Sequence, residues 1–165
     1  MQKDSVDLML SQWQKERPDL DTSALAATVR VLILHKRFLR LATDSLAEID
    51  LELWEYDVLS ALRRQGPPFK LSASELAETT ALSAGAMTNR IDKLVQKQLV
   101  RREADPDDRR GVIVGLTRKG IGVTDKAIQL RLEAANRGVR SLNKKERIHL
   151  ASLLRRVVID TRQDR

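Results

Sequence analysis

The sequence contains no cysteine. Disulfides, thiolate zinc sites and cysteine nucleophiles are therefore excluded, and the chain suits a reducing compartment without requiring one. Histidine occurs only twice, as His35 and His149, far apart in sequence. Neither belongs to an HExxH pattern, and no GxSxG or phosphate-loop motif is present. These absences argue against an enzyme, and no catalytic residue, metal site or cofactor is expected. No apolar run approaches the ~20 residues of a membrane span. The start, Met1-Gln2-Lys3-Asp4, lacks the charged-then-apolar pattern of a signal peptide. The expected location is cytoplasmic, with no membrane partner.

Aromatic residues make up 3% of the chain, against 42% hydrophobic and 32% charged. A mix rich in Leu, Ala, Arg and Asp favours helices packed on helices over a β-sandwich. The 165 residues leave room for about one ordinary domain. The net charge is +7 and the pI about 10.0, which suits a polyanion such as nucleic acid. Its distribution is more informative than its size. Residues 1–82 carry 10 basic against 13 acidic side chains, residues 83–119 carry 9 against 5, and residues 126–165 carry 11 against 4. The positive charge belongs to the second half.

Leu8, Leu10 and Trp13 mark a short amphipathic helix from about Ser5 to Lys15, stopped by Pro18. Thr22 or Ser23 can cap a long helix in which Leu25, Val29, Leu32, Ile33, Phe38, Leu41 and Leu46 recur at helical spacing. A third helix is expected from Glu52 to Gln65, burying Trp54, Val58, Leu59 and Leu62, before Gly66-Pro67-Pro68. Ser72-Ala73-Ser74-Glu75 reads as a capping box opening a short helix to about residue 80. Ser83 can cap the next, to about Gln98, with Met87, Ile91, Leu94 and Val95 on its apolar stripe. Two extended runs, Leu99–Arg102 and Val112–Leu116, form a hairpin around a charged loop. Two helices, 118–138 and 144–161, close the chain, the second opened by Asn143-Lys144-Lys145-Glu146.

Short helix, turn around residues 80–82, and second helix is the order of a helix-turn-helix, whose second helix enters the major groove. That helix offers Ser83, Thr88, Asn89, Arg90 and Lys93, with Ser72 at the start of the helix before it. Asn can read adenine, Arg or Lys can read guanine, and Ser or Thr can bond phosphates or bases. The hairpin loop Asp105-Pro106-Asp107-Asp108-Arg109-Arg110 places two arginines at its tip, residues suited to a narrow minor groove. Asp105 and Asp107 are expected to support this wing and orient the guanidinium groups. The bland readings are a solvated helix face and a charged turn. Single-stranded RNA is a poor fit, because the few aromatics fall on helices or a turn rather than on an exposed sheet.

Leu71–Ala77, Met87–Leu94, Leu99–Arg102, Asp105–Arg110 and Leu116–Gly120 together resemble the MarR family in order and spacing, over about residues 51–122. The resemblance implies a mainly α fold with a small β-hairpin wing, a winged helix-turn-helix with N- and C-terminal dimerisation helices. It divides the chain into residues 1–50 and 118–165 for dimerisation and residues 51–117 for DNA binding. It also implies a homodimer on double-stranded DNA with a pseudo-palindromic operator, most members being repressors released by a small ligand. The alternative is a winged-helix interaction module without ligand control. Regulation by thiol oxidation is excluded for want of cysteine.

Trp13-Gln14-Lys15-Glu16-Arg17-Pro18-Asp19-Leu20-Asp21 resembles the extra N-terminal helix of the family's urate-responsive subgroup. That likeness implies a site for a small aromatic anion such as urate at Trp13, Asp57, Arg90 and Arg102. Read without it, Trp13 is a core anchor, Asp57 a residue on the third helix, Arg90 a DNA contact and Arg102 a strand surface charge.

Overall fold

The computed structural model describes residues 2–80, 82–106, 108 and 111–163. Asp4 opens α1 (Ser5–Glu16) as a reciprocal cap, its carboxylate accepting from the amides of Val6 and Asp7 while the Asp7 carboxylate accepts from the amide of Asp4. Arg30 of α2 (Ser23–Ala47) then donates to both carboxylates, at 2.9 Å to Asp4 and 2.7 Å to Asp7. This clasp lays α1 on α2 and holds the Asp4 carboxyl at about 2, below the usual carboxylate range. Neither Thr22 nor Ser23 caps α2 with its side chain. Asp21 does that work, accepting from the amide of Ser23 at 2.9 Å.

α3 (Leu53–Arg63) starts on a buried acid. Glu55, 1% exposed, accepts from the amide of Glu52 at 2.9 Å and pairs with the Lys97 ammonium at 2.8 Å. Burying a carboxylate this deep is costly unless such partners are present. Beyond it come α4 (Ala73–Thr79) and α5 (Ala84–Gln96). The expected hairpin is present as β2 (Val100–Ala104) and β3 (Val112–Leu116), but it is two-thirds of the sheet rather than all of it. Lys70–Ser72 forms a further strand, β1, on the other side of β3, giving the antiparallel order β1-β3-β2 with Leu71 and Arg102 both opposite Val114.

The core lies where α3, α4, α5 and the sheet meet the start of α6 (Arg118–Gly138). Val58, Leu59, Leu62, Leu76, Met87, Ile91, Leu94 and Val114 are all fully enclosed there. One junction fixes α6 to this core. The Thr117 hydroxyl donates to the Gln98 carbonyl at 2.8 Å and accepts from the Gly120 amide at 2.9 Å. A Cβ at Gly120 would stand 1.9 Å from the Leu99 carbonyl oxygen, so only glycine permits this approach.

α7 (Lys144–Gln163) begins with the Asn143 and Glu146 exchange read from the sequence. Its apolar stripe, with that of α2, is left uncovered: Ile148, Val157, Val158, Leu32 and Leu39 are all exposed. Trp13, read from periodicity as a core anchor, is 45% exposed, and Val95 leaves the stripe expected for α5. α1 is too short and too polar to bury an indole against a single partner helix. Among the described residues no helix is long and apolar enough to cross a membrane.

Candidate nucleic-acid interface

α4 and α5 are set by side-chain caps. Ser72 accepts from the Glu75 amide at 3.1 Å while the Glu75 carboxylate accepts from the Ser72 amide, and Ser83 accepts from the Ala86 amide at 3.3 Å. These bonds satisfy amides that a helix start leaves without partners. Both serines, expected to touch DNA, are thus also structural. The Thr80 hydroxyl donates to the Leu76 carbonyl, and the Leu82 amide bonds the Ala77 carbonyl across the turn.

The helical period of α5 gives a core row, a row facing α3 and exposed positions between them and the wing. Met87, Ile91 and Leu94 face the core. Thr88 and Asn89 are exposed, and the Thr88 hydroxyl donates back to the Ala84 carbonyl, leaving its lone pairs outward. The row facing α3, Arg90, Lys93 and Lys97, meets the first turn of that helix. The Arg90 guanidinium lies 5.3 Å and the Lys93 ammonium 5.7 Å from the Trp54 ring centre. The indole N–H in turn donates to Glu52 at 2.7 Å.

Trp54 therefore packs against the core as its apolar neighbours Leu51, Leu53 and Val58 imply, and its half-buried ring is at the same time a platform for two cations. The cations that dress it come from a helix some forty positions away, a pairing no local pattern reveals.

The wing is tied to the far edge of α5. Arg102 of β2 pairs with Asp92 at 2.7 Å and donates to the Thr88 carbonyl at 3.3 Å. Glu103 bridges Lys70 of β1 and Arg101, at 2.7 Å to the latter, and these cations hold its carboxyl below the usual range. At the base of the tip the Asp105 amide donates to the Gly111 carbonyl at 3.2 Å, and the Gly111 amide to the Asp108 carbonyl at 2.8 Å. A Cβ on Gly111 would come within 2.8 Å of the Asp105 Cβ, so this turn closes tightly on glycine. Asp107, Arg109 and Arg110, expected at the wing, lie outside the described residues.

The four residues assigned to an aromatic anion are distributed unevenly. Asp57 and Arg90 are neighbours in charge: burial pushes the Asp57 carboxyl up, opposed by the fields of Arg131, Arg90 and Arg64. Arg102 is engaged with Asp92 and Thr88, as above. Trp13 lines a shallow hollow with Met9, Gln12 and Glu16, all from α1. A separate cavity of about 230 Å³ opens between α2 and α6, lined by Phe38, Leu41, Arg131, Ala134, Ala135 and Val139, and by none of the four.

Comparison with known proteins completes the description. A profile described as "MarR family" matches residues 49–111. The chain is 31% identical to the HTH-type transcriptional regulator PecS of Dickeya dadantii over 156 residues, covering 92% of each. It is 34% identical to the HTH-type transcriptional repressor NicR of Pseudomonas putida over 104 residues, 63% of this chain and 64% of NicR. Among solved structures, a mutant MarR from E. coli complexed with operator DNA superposes with a TM-score of 0.70 at 25% identity, covering 88% of this chain and 96% of that one. PecS and NicR are transcription regulators by description, not enzymes, and the MarR structure holds operator DNA.

Proposed function

The chain belongs to the MarR family, and on that footing we propose that it is a homodimeric repressor reading a pseudo-palindromic operator in duplex DNA. One observation carries the reading. α5 is secured along both edges, by α3 and by the wing, while Asn89 between them and the Thr88 side chain beside the wing edge stay exposed. That is the arrangement a helix needs to enter a major groove at a fixed angle. Lys93, Arg90, Ser72 and Ser83 are further DNA contacts in this reading, together with Arg109 and Arg110, which lie outside the described residues. Residues 51–117 form the reading unit.

Residues 1–50 and 118–165 supply the dimer contacts. The exposed stripes of α2 and α7 support this assignment, since apolar faces of that length are normally covered by a partner. Two lobes would then meet successive major grooves about 10 base pairs apart.

Release by a small aromatic anion such as urate is favoured by one specific feature, the Asp57 carboxylate set among Arg90, Arg131 and Arg64. An anion drawn to those arginines would compete with Asp57 for Arg90 on the recognition helix. Trp13 and Arg102 would have to turn from their present positions to join it.

Fluorescence anisotropy against duplexes selected from a randomised library tests the central reading. Binding should recover a two-fold symmetric site and fall steeply with salt, and Asn89→Ala should cost ~1–3 kcal/mol at selected base pairs only. Selection of no common site would overturn it. Titration with urate, xanthine and hypoxanthine tests the ligand: if none releases DNA at millimolar concentration, that reading fails alone.

A further inference from the structure

Arg90, Lys93 and Lys97 follow one another along a single edge of α5, and each is met by the first turn of α3. Trp54 lies under the first two at 5.3 Å and 5.7 Å, and Glu55 pairs with the third at 2.8 Å. The opposite edge is closed by Asp92 and Arg102. Asn89 is exposed between these edges and Thr88 beside the wing edge, one turn before Asp92, and neither carries charge.

We propose that Trp54 is a positioning residue for DNA binding. It holds Arg90 and Lys93 at the α3 edge of the recognition helix as cations for the phosphate backbone, and so leaves base reading to Thr88 and Asn89. The inference rests on the DNA-binding reading above.

The physical case is a difference between two kinds of partner. A carboxylate orders a guanidinium but cancels its charge, whereas an aromatic face orders it and leaves the full positive charge available. Arg90 has both within its surroundings, because Asp57 acts on it electrostatically from one turn further along α3. The indole cannot simply rotate away, since its N–H is fixed to Glu52 at 2.7 Å. Arg and Lys are also among the side chains with the most rotamer freedom to lose, so ordering them before contact favours binding. A cation lodged at the helix edge faces the groove wall, where phosphates stand. The groove floor is left to Thr88 and Asn89.

Two duplexes serve as probes: the tightest one from the randomised library and a scrambled version of it. Trp54→Leu should weaken both by the same factor, about fivefold to a hundredfold for two long side chains that are no longer ordered before contact. It should leave the ratio between the duplexes unchanged and reduce the slope of log affinity against log salt. Trp54→Tyr, which keeps a ring, should retain most of the affinity. In the double variant Arg90→Ala/Lys93→Ala, adding Trp54→Leu should cost little more, whereas a packing role alone would cost the same in both backgrounds.

A second readout needs no Trp54 substitution. In Trp13→Phe, Trp54 is the sole tryptophan, and saturating duplex should shield it from iodide quenching. Equal losses in both backgrounds, a changed ratio between duplexes, unchanged or tighter binding by Trp54→Leu, or unshielded Trp54 would each overturn the proposal. If the unmodified protein binds neither duplex, the DNA-binding reading fails instead.

Discussion

Leu59 and Leu62 of α3 are completely buried, whereas Leu32 of α2 and Val157 of α7 are 64% and 57% exposed. All four lie on amphipathic helices of similar pattern, yet only the first two find their partners inside the chain. The lobe around α3, α4, α5 and the sheet closes its own core. The outer helices carry apolar stripes that this chain leaves open, and α1 is joined to α2 largely through the Arg30 clasp. Hydrophobic periodicity thus specifies that a face will be covered, not by which molecule.

The sharpest way to break this contrast is to charge the open stripe. If α7 forms the proposed two-fold interface, Leu154→Glu combined with Val157→Glu places four carboxylates in it. At ~1.5–3 kcal/mol for each apolar side chain buried, the loss is on the order of 6–12 kcal/mol of association. Sedimentation should show a monomer that no longer binds operator, with the helical content of the lobe retained. A dimer of normal affinity would remove α7 from the interface.

Leu59→Ala attacks the closed side instead. Deletion of a fully enclosed leucine costs ~2–5 kcal/mol, read as a lower urea midpoint. The variant should still sediment as the wild type does wherever it is folded, because the lesion is internal to each lobe.

The smallest effect concerns the polar attachment of α1. Asp4 has a folded pKa of about 2 against an ordinary value of 3.8. A depressed carboxyl contributes stability that is fully present above the unfolded value and is lost as pH falls through the folded one. Amide exchange in α1 should therefore accelerate relative to the lobe between about pH 4 and pH 2. Asp4→Asn should raise exchange at neutral pH and flatten that dependence. A wild-type profile in Asp4→Asn would show that the clasp contributes nothing.

What could be read from the sequence was what is local. The Ser72/Glu75 and Asn143/Glu146 caps are exchanges over three residues, and both form as read. The winged-helix order and the family followed from motifs of similar span. β1 escaped because Lys70-Leu71-Ser72 is too short to display an alternating period and gains its meaning only beside β3. Thr22 holds the N-cap position of α2 as read, but Asp21 supplies the side-chain bond because several adjacent polar residues could each serve. The cation platform at Trp54 was hidden by its apolar neighbours, since nothing around residue 54 announces Arg90 and Lys93. Likewise the Arg102 partners, Asp92 and Thr88, are brought close by the return of β2 along α5.

The junction at Thr117 and Gly120 gives α6 a mechanical role. With one hydroxyl bonded to both the end of α5 and the start of α6, and no space for even a methyl group at Gly120, lobe and helix have no joint between them. α6 is 21 residues long, a rod of roughly 31 Å at helical rise. Used as a lever, a displacement of its far end by roughly 3 Å turns it by roughly 5°. A force applied beside Arg131, more than halfway along that rod, would thus be passed to the lobe as a rotation rather than taken up at the junction.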